Sequence, residues 1–138
     1  MAPTTEKPDQ RDVLGVLQQA RVYVSSGWTQ GMYVQKRDGD EDVSLEDVFE
    51  NRVPVRNVCL CASGALRLAI GRKFGRLNGV GTGALYSACA LALTDTHACG
   101  TLSYITLNDR PDTKQADVLR MFDEAISTLE GGDPQSAG

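Results

Sequence analysis

Apolar residues between Val13 and Val24 recur at helical spacing: Val13, Val16, Leu17, Ala20, Tyr23 and Val24 fall at i, i+3, i+4, i+7, i+10 and i+11. The stripe predicts an amphipathic helix over Asp9–Ser26, with Gly27 as its C-terminal cap. A second stripe, Val118, Leu119, Phe122, Ala125, Ile126 and Leu129, predicts a closing helix. Asp112 and Gln115 read as its capping-box pair, and Gly131-Gly132 as its stop. Between these, Ala62, Ala65, Leu66 and Ala69 share one face of a helix running from about Cys59–Cys61 to Ile70, with Gly71 ending it. Ala84–Leu93 is apolar nearly all round, the pattern of a central buried helix. Gly31–Asn51 is polar and acidic and reads as a loop with one helical turn at Leu45–Glu50. Pro54 makes Val53–Val58 extended, and Tyr104, Ile105 and Thr106 make Thr101–Leu107 a short strand or extended connector. The expected fold is mainly all-α: a compact single-domain bundle of four or so helices with long loops and at most one short extended segment. The helical domain spans 9–130, between flexible tails at 1–8 and 131–138.

Length and composition agree with this picture. A chain of 138 residues, 41% hydrophobic and 23% charged, can bury a core without disulfides or metals. It holds no apolar run long enough to span a bilayer, and Glu6, Asp9 and Asp12 make the N-terminus unlike a secretory signal. The expected location is the cytoplasm, with Cys59, Cys61, Cys89 and Cys99 as thiols. Charge changes the picture more. Residues 1–50 hold ten acids and five bases, and 95–138 hold eight acids and three bases. Residues 51–94 carry no acid, while Arg52, Arg56, Arg67, Arg72, Lys73 and Arg76 give +6. Such a block is either neutralised by the acidic ends folding over it or left as an electropositive face. The pI of about 4.9 argues against nucleic acid as a partner.

Several short pieces carry special chemistry. Cys61 at a helix start is placed where backbone N–H groups favour a thiolate. His97, the only histidine, would be its base, oriented by Asn108 or Asp109 in a Cys-His-Asn/Asp arrangement. Against this, a free cysteine commonly serves as a small buried hydrophobe. Cys59, Cys61, His97 and Cys99 together offer a weak zinc set, weak because Cys-x-Cys tends to point its two side chains apart. Gly79-Val80-Gly81-Thr82-Gly83 leads into a helix just after Arg72, Lys73 and Arg76. That order suits phosphate, although neither the P-loop nor the dinucleotide fingerprint is complete. The run Asp38–Asp42 fails as a calcium loop, since Val43 and Phe49 occupy the glycine and bidentate-glutamate positions. Trp28 and Gln30 either tie a loop to the core or, with Tyr33 and Tyr104, wall a ligand pocket. Asn108 and Asp109 equally suit a turn before a helix. No cofactor signature is complete.

Trp28–Gly31 (Trp-x-Gln-Gly), Cys61–Leu66 (Cys-x-x-Gly-Ala-Leu), Asn108-Asp109 and Val118–Ile126 (Val-Leu-x-x-Phe-Asp-x-Ala-Ile) appear in that order. The set resembles an uncharacterised family of small actinobacterial and actinophage proteins, over Val13 to Leu129. This chain departs from the pattern by Cys59 and by its long glycine-rich stretch. The resemblance carries no assigned activity. It implies a bacterial or phage protein of the cytoplasm (the host's, if phage-encoded), with the motif residues as site candidates. The resulting expectation is an accessory protein that binds another macromolecule, a protein partner or a second copy of itself. A phosphate or nucleotide binder using Arg72, Lys73, Arg76, Gly81 and Gly83 is the alternative, with Trp28, Gln30 and Asn108 as further ligand candidates. A thiol hydrolase built on Cys61, His97 and Asp109 comes third.

Overall fold

A computed structural model of the chain describes residues 8–39, 42–79 and 81–131. The tails at 1–7 and 132–138, Asp40, Glu41 and Val80 lie outside the described residues. Among the described residues, six α-helices, four of them long, and one small antiparallel ladder form a mainly helical single domain. Helix α1 (Gln10–Ser26) starts at Asp9, whose carboxylate accepts the Arg11 N–H at 2.8 Å. Its six periodic apolar residues are all buried. Strand β1 (Val34–Lys36) follows, then α2 (Leu45–Phe49), opened by a reciprocal Ser44–Asp47 capping box. A short 3₁₀ turn at Val55–Asn57 leads into β2 (Val58–Leu60). The chain continues through α3 (Ala62–Phe74), α4 (Thr82–Thr94), α5 (Tyr104–Asp109) and α6 (Gln115–Gly131).

Helix α1 is the hub of packing. It lies against α6, α3 and α4, while α3 also meets α2, α4 and α5. Phe122, Leu17, Leu66 and Met121 are fully buried between these helices. Strands β1 and β2 pair with Val34 opposite Leu60 and Lys36 opposite Val58. Leu60 also donates its N–H to the Gly27 carbonyl and accepts the Thr29 N–H. The segment just after α1 is thereby laid alongside β2, directly before the start of α3.

Five local expectations are corrected. Val34–Lys36 is a strand inside the stretch expected to be a polar loop. Val53–Val58 is not extended throughout, because Val55–Asn57 makes a 3₁₀ turn. Thr101–Leu107 is neither strand nor connector. Ser103 caps the Thr106 N–H, and Tyr104, Leu107 and Asn108 turn inward on the short helix α5, so tertiary packing overrides the β preference of Tyr104-Ile105-Thr106. Gly71 does not end α3. It is buried mid-helix, where a Cβ would lie 2.7 Å from a Leu77 methyl, and Gly75, at φ 78°, makes the cap four residues later. Finally, α4 is not a central buried helix: only Thr82, Leu85, Cys89 and Leu93 are buried, and Leu91 is 62% exposed.

The closing helix also starts differently. Asp117, not Asp112, accepts the Lys114 N–H at 2.9 Å, and Asp112 pairs with Arg110 at the surface. Gln115 reaches away instead, donating to the Val24 and Ser25 carbonyls at the end of α1. The helix runs through Gly131, one residue into the expected tail.

Gly64 packs so tightly that a Cβ there would lie 2.9 Å from the Tyr33 carbonyl carbon, and nearer still to its oxygen. Backbone cannot swing aside as a side chain can. Gly64→Ala is therefore expected to cost about 3 kcal/mol or more. Gly15, mid-helix with open space around it, should behave oppositely, Gly15→Ala adding about 0.5–1 kcal/mol. Urea denaturation of the two variants checks both signs.

Candidate functional site

Three of the sequence motifs meet at one side chain. Asn108, the second-last residue of α5, is 2% exposed. Its Oδ1 accepts the Trp28 indole N–H at 2.8 Å and the Ala62 N–H at 3.0 Å. Its Nδ2 donates to the Thr29 carbonyl at 3.3 Å and to Asp109 Oδ1 at 2.8 Å. An amide has two donor hydrogens and two acceptor lone pairs, and Asn108 uses all of them. The network also fixes which way the amide faces, since the indole and Ala62 N–H groups can only donate and the Thr29 carbonyl can only accept.

Two neighbours extend the clasp. The Gln30 amide donates to the Asn108 and Arg110 carbonyls at 2.9 and 2.7 Å, holding the open end of α5. Asp109 Oδ1 accepts the Gly31 N–H at 2.9 Å. The segment 28–31, the start of α3 and the end of α5 are thus tied together, with every donor and acceptor of the Asn108 amide matched inside the protein.

Cys61 is the N-cap of α3, its sulfur accepting the Gly64 N–H at 3.2 Å. Burial nonetheless pushes the thiol above its ordinary range. The Gly64 and Ser63 N–H groups pull it down by less, and the Asp109 carboxylate adds to the rise. Of the two readings of Cys61, this favours the small buried thiol: the helix terminus acts on it, but desolvation outweighs it. His97 sits exposed on the loop between α4 and α5, and the polar partners of Cys61 and Asp109 are backbone N–H groups and Asn108 rather than an imidazole. Cys61, Asn108 and Asp109 come together; His97 does not join them.

The zinc set is also dispersed. Cys99 packs against α6, its thiol directed at the Leu93 carbonyl and the Met121 sulfur, and Cys59 lies on β2 beside Gly27. Among the described residues no group of three or more His, Cys, Asp or Glu side chains is disposed to hold a metal. In the basic segment, Arg72 spans three elements, reaching the Tyr23 hydroxyl, the Val48 carbonyl and the Asn51 side chain. Lys73 pairs with Asp12 of α1 at 3.0 Å, and Arg76 lies over the Phe74 ring. Arg76 thus stays beside the glycine-rich loop, against Gly79, whereas Arg72 and Lys73 are engaged with α1 and α2.

A second cluster adjoins the clasp; it takes in Tyr33 and Tyr104, expected as pocket walls, and adds Ser63, Arg67 and Tyr86, which sequence reading did not place with them. The Ser63 and Tyr86 hydroxyls are 2.7 Å apart, and the Tyr86 hydroxyl contacts that of Tyr104. Burial holds the Tyr104 phenol protonated well above the usual tyrosine range. Beside them the Arg67 guanidinium lies over both the Tyr33 and Tyr86 rings, at 5.0 and 4.7 Å from their centres. The four-residue step from Ser63 to Arg67 on α3 is the signal that could have found this cluster.

Fold and clasp define a class: a small helical protein whose Trp-x-Gln-Gly, Cys-x-x-Gly-Ala-Leu and Asn-Asp motifs close on one buried asparagine. Residues 8–128 match a family model, and the chain belongs to that family, the family of unknown function DUF6197. Comparison with the curated proteins and with the solved structures finds no match.

Asn108→Ala would strip partners from the Trp28 indole, the Ala62 N–H and the Thr29 carbonyl. A loss of about 2–4 kcal/mol is expected, followed through the fluorescence of the sole tryptophan during urea denaturation. Alkylation gives an independent check. In the native protein near pH 7.5, the half-buried Cys59 should react before Cys61, Cys89 and Cys99. Cys61 should keep gaining rate beyond pH ~8.5, the range of a free thiol. Peptide mass spectrometry after timed iodoacetamide treatment reads both outcomes.

Proposed function

We propose that this protein is a small accessory protein of the cytoplasm that binds another protein through the outer face of α4. The observation that carries the reading is the chemistry of that helix. Thr82–Thr94 contains no charged residue, yet one side only is buried. Its outward positions, Gly83, Ala84, Ser87 and Leu91, are exposed. An apolar surface helix with no charge on its wet side is costly to leave uncovered.

The face continues into a groove of about 430 Å³ between α1, α4 and α6. Val13, Ala88, Leu91, Ala92 and Leu129 make its apolar floor, while Gln10, Asp95 and Thr128 stand among its polar lining residues. An apolar floor with polar groups at the edge is the usual anatomy of a protein interface, and a groove between helices suits an amphipathic partner helix. Among the described residues no helix is long and apolar enough to cross a membrane. The origin in a bacterium or its phage, and with it a role in modulating a host process, is supported by the motif resemblance alone.

Leu91→Glu places a charge in the centre of this face at an exposed position. Stability should change by no more than about 0.5 kcal/mol. Binding should weaken by about 2 kcal/mol or more, roughly thirtyfold. Affinity purification from the native host checks this: the unaltered protein should retain a stoichiometric partner that Leu91→Glu loses. A second copy as partner would appear in sedimentation as a dimer that the substitution converts to monomer. Identical behaviour of both proteins in both experiments defeats the reading.

A further inference from the structure

We propose that the pocket between α3 and the start of α4 binds the phosphate group of a phosphorylated ligand, with Arg67 as its principal anchor. The pocket measures about 230 Å³. Drug-sized ligands generally occupy about 300–1,000 Å³, so the space suits an anionic end group better than a whole cofactor.

Arg67 is the first argument. It lines the pocket, and among the described residues it forms neither a hydrogen bond nor an ion pair; its Nε is buried without a partner. Arg72 and Arg52 behave differently, Arg72 being bonded to three groups and Arg52 to two carboxylates. The guanidinium is held by its contacts with the Tyr33 and Tyr86 rings, which contribute attraction and position but accept no conventional hydrogen bond from its edge. A positioned guanidinium with free in-plane donors is built for an oxyanion.

The second argument comes from the opposite wall. Helix α4 begins at Gly81, which adopts φ 88° and supplies no capping side chain. The Thr82 hydroxyl turns back to the Gly79 carbonyl at 2.7 Å and so does not cover the following N–H groups. That of Gly83, in the first turn, faces the pocket at a helix end, where donors lack intrahelical partners. Gly83 lines the pocket together with Asn78 and Ser87, which add an amide and a hydroxyl, and no carboxylate is in the lining. Positive charge from α3 and the helix-terminal Gly83 N–H of α4 therefore face one space, which favours phosphate over a neutral ligand. Of the ligand set expected from the sequence the site keeps Gly83, while Arg72 and Lys73 are engaged on the α1 and α2 side.

Inorganic phosphate, titrated against chloride and acetate at matched ionic strength and followed by ¹H–¹⁵N NMR, tests the proposal. The Arg67 Nε–H and the Gly83 amide should shift together along one saturable curve, with an affinity of about 1 mM for so small an anion. Ser87→Asp puts a like charge into the pocket at an exposed position and should weaken phosphate by about tenfold or more without unfolding the chain. Lys73→Ala, on another face, should bind within about twofold of the unaltered protein. The proposal is overturned if chloride or acetate reproduces the shifts, if they centre on Arg72 and Lys73, or if Ser87→Asp binds phosphate undiminished.

Discussion

Everything at one end of this bundle depends on the four hydrogen bonds of a single buried amide. Asn108 sits where α5 ends, α3 begins and the chain leaves α1, three backbone ends that each expose unpaired groups. Aspartate would lack the donors, leucine would lack everything, and glutamine would carry the amide one carbon too far. Around it, Trp28 contributes area and a donor, Gln30 closes the carbonyls of α5, and Asp109 holds Gly31. The motifs that stand out in the sequence are the parts of this clasp. Their chemistry is spent on one another, which is why they read as an active site in one dimension and as architecture in three.

What the sequence revealed was set by which forces act locally. Helices α1 and α6 were legible because each pits an apolar stripe against a polar face. The extent of α3 was misjudged at Gly71, where glycine is required by Leu77 and Phe49 pressing from outside, a fact no local pattern contains. Helix α5 was hidden because its residues prefer extension in isolation, and only the burial of Tyr104, Leu107 and Asn108 makes a helix of them. Helix α4 misled in the other direction. An apolar helix normally goes to the centre, and here a position at the surface was visible only once its neighbours were in place.

The candidate site divided in the same way. That Trp28, Cys61, Asn108 and Asp109 belong together was legible from their placement at element ends. The balance of forces on Cys61 was not, because the helix terminus is written in the sequence and the desolvation that outweighs it is not. The arginine-rich middle hid its own division of labour. Composition counts six like charges, whereas the fold uses Arg72 as a tie between helices, pairs Lys73 with Asp12, and leaves Arg67 between two rings.

The end of α1 has a consequence for how the chain assembles. Its final carbonyls are not closed by neighbouring residues: Gln115 donates to those of Val24 and Ser25, and Arg37 to that of Ser26. One of these partners lies ninety-one positions away along the chain. Closing so long a loop is slow relative to forming a helical turn. The turns of α1 can thus form early from local contacts, while the Val24 and Ser25 carbonyls of its last turn gain their side-chain partner only when α6 docks. In hydrogen exchange this makes the terminal turn of α1 a reporter of the final folding step, protected together with the start of α6 rather than with the rest of its own helix.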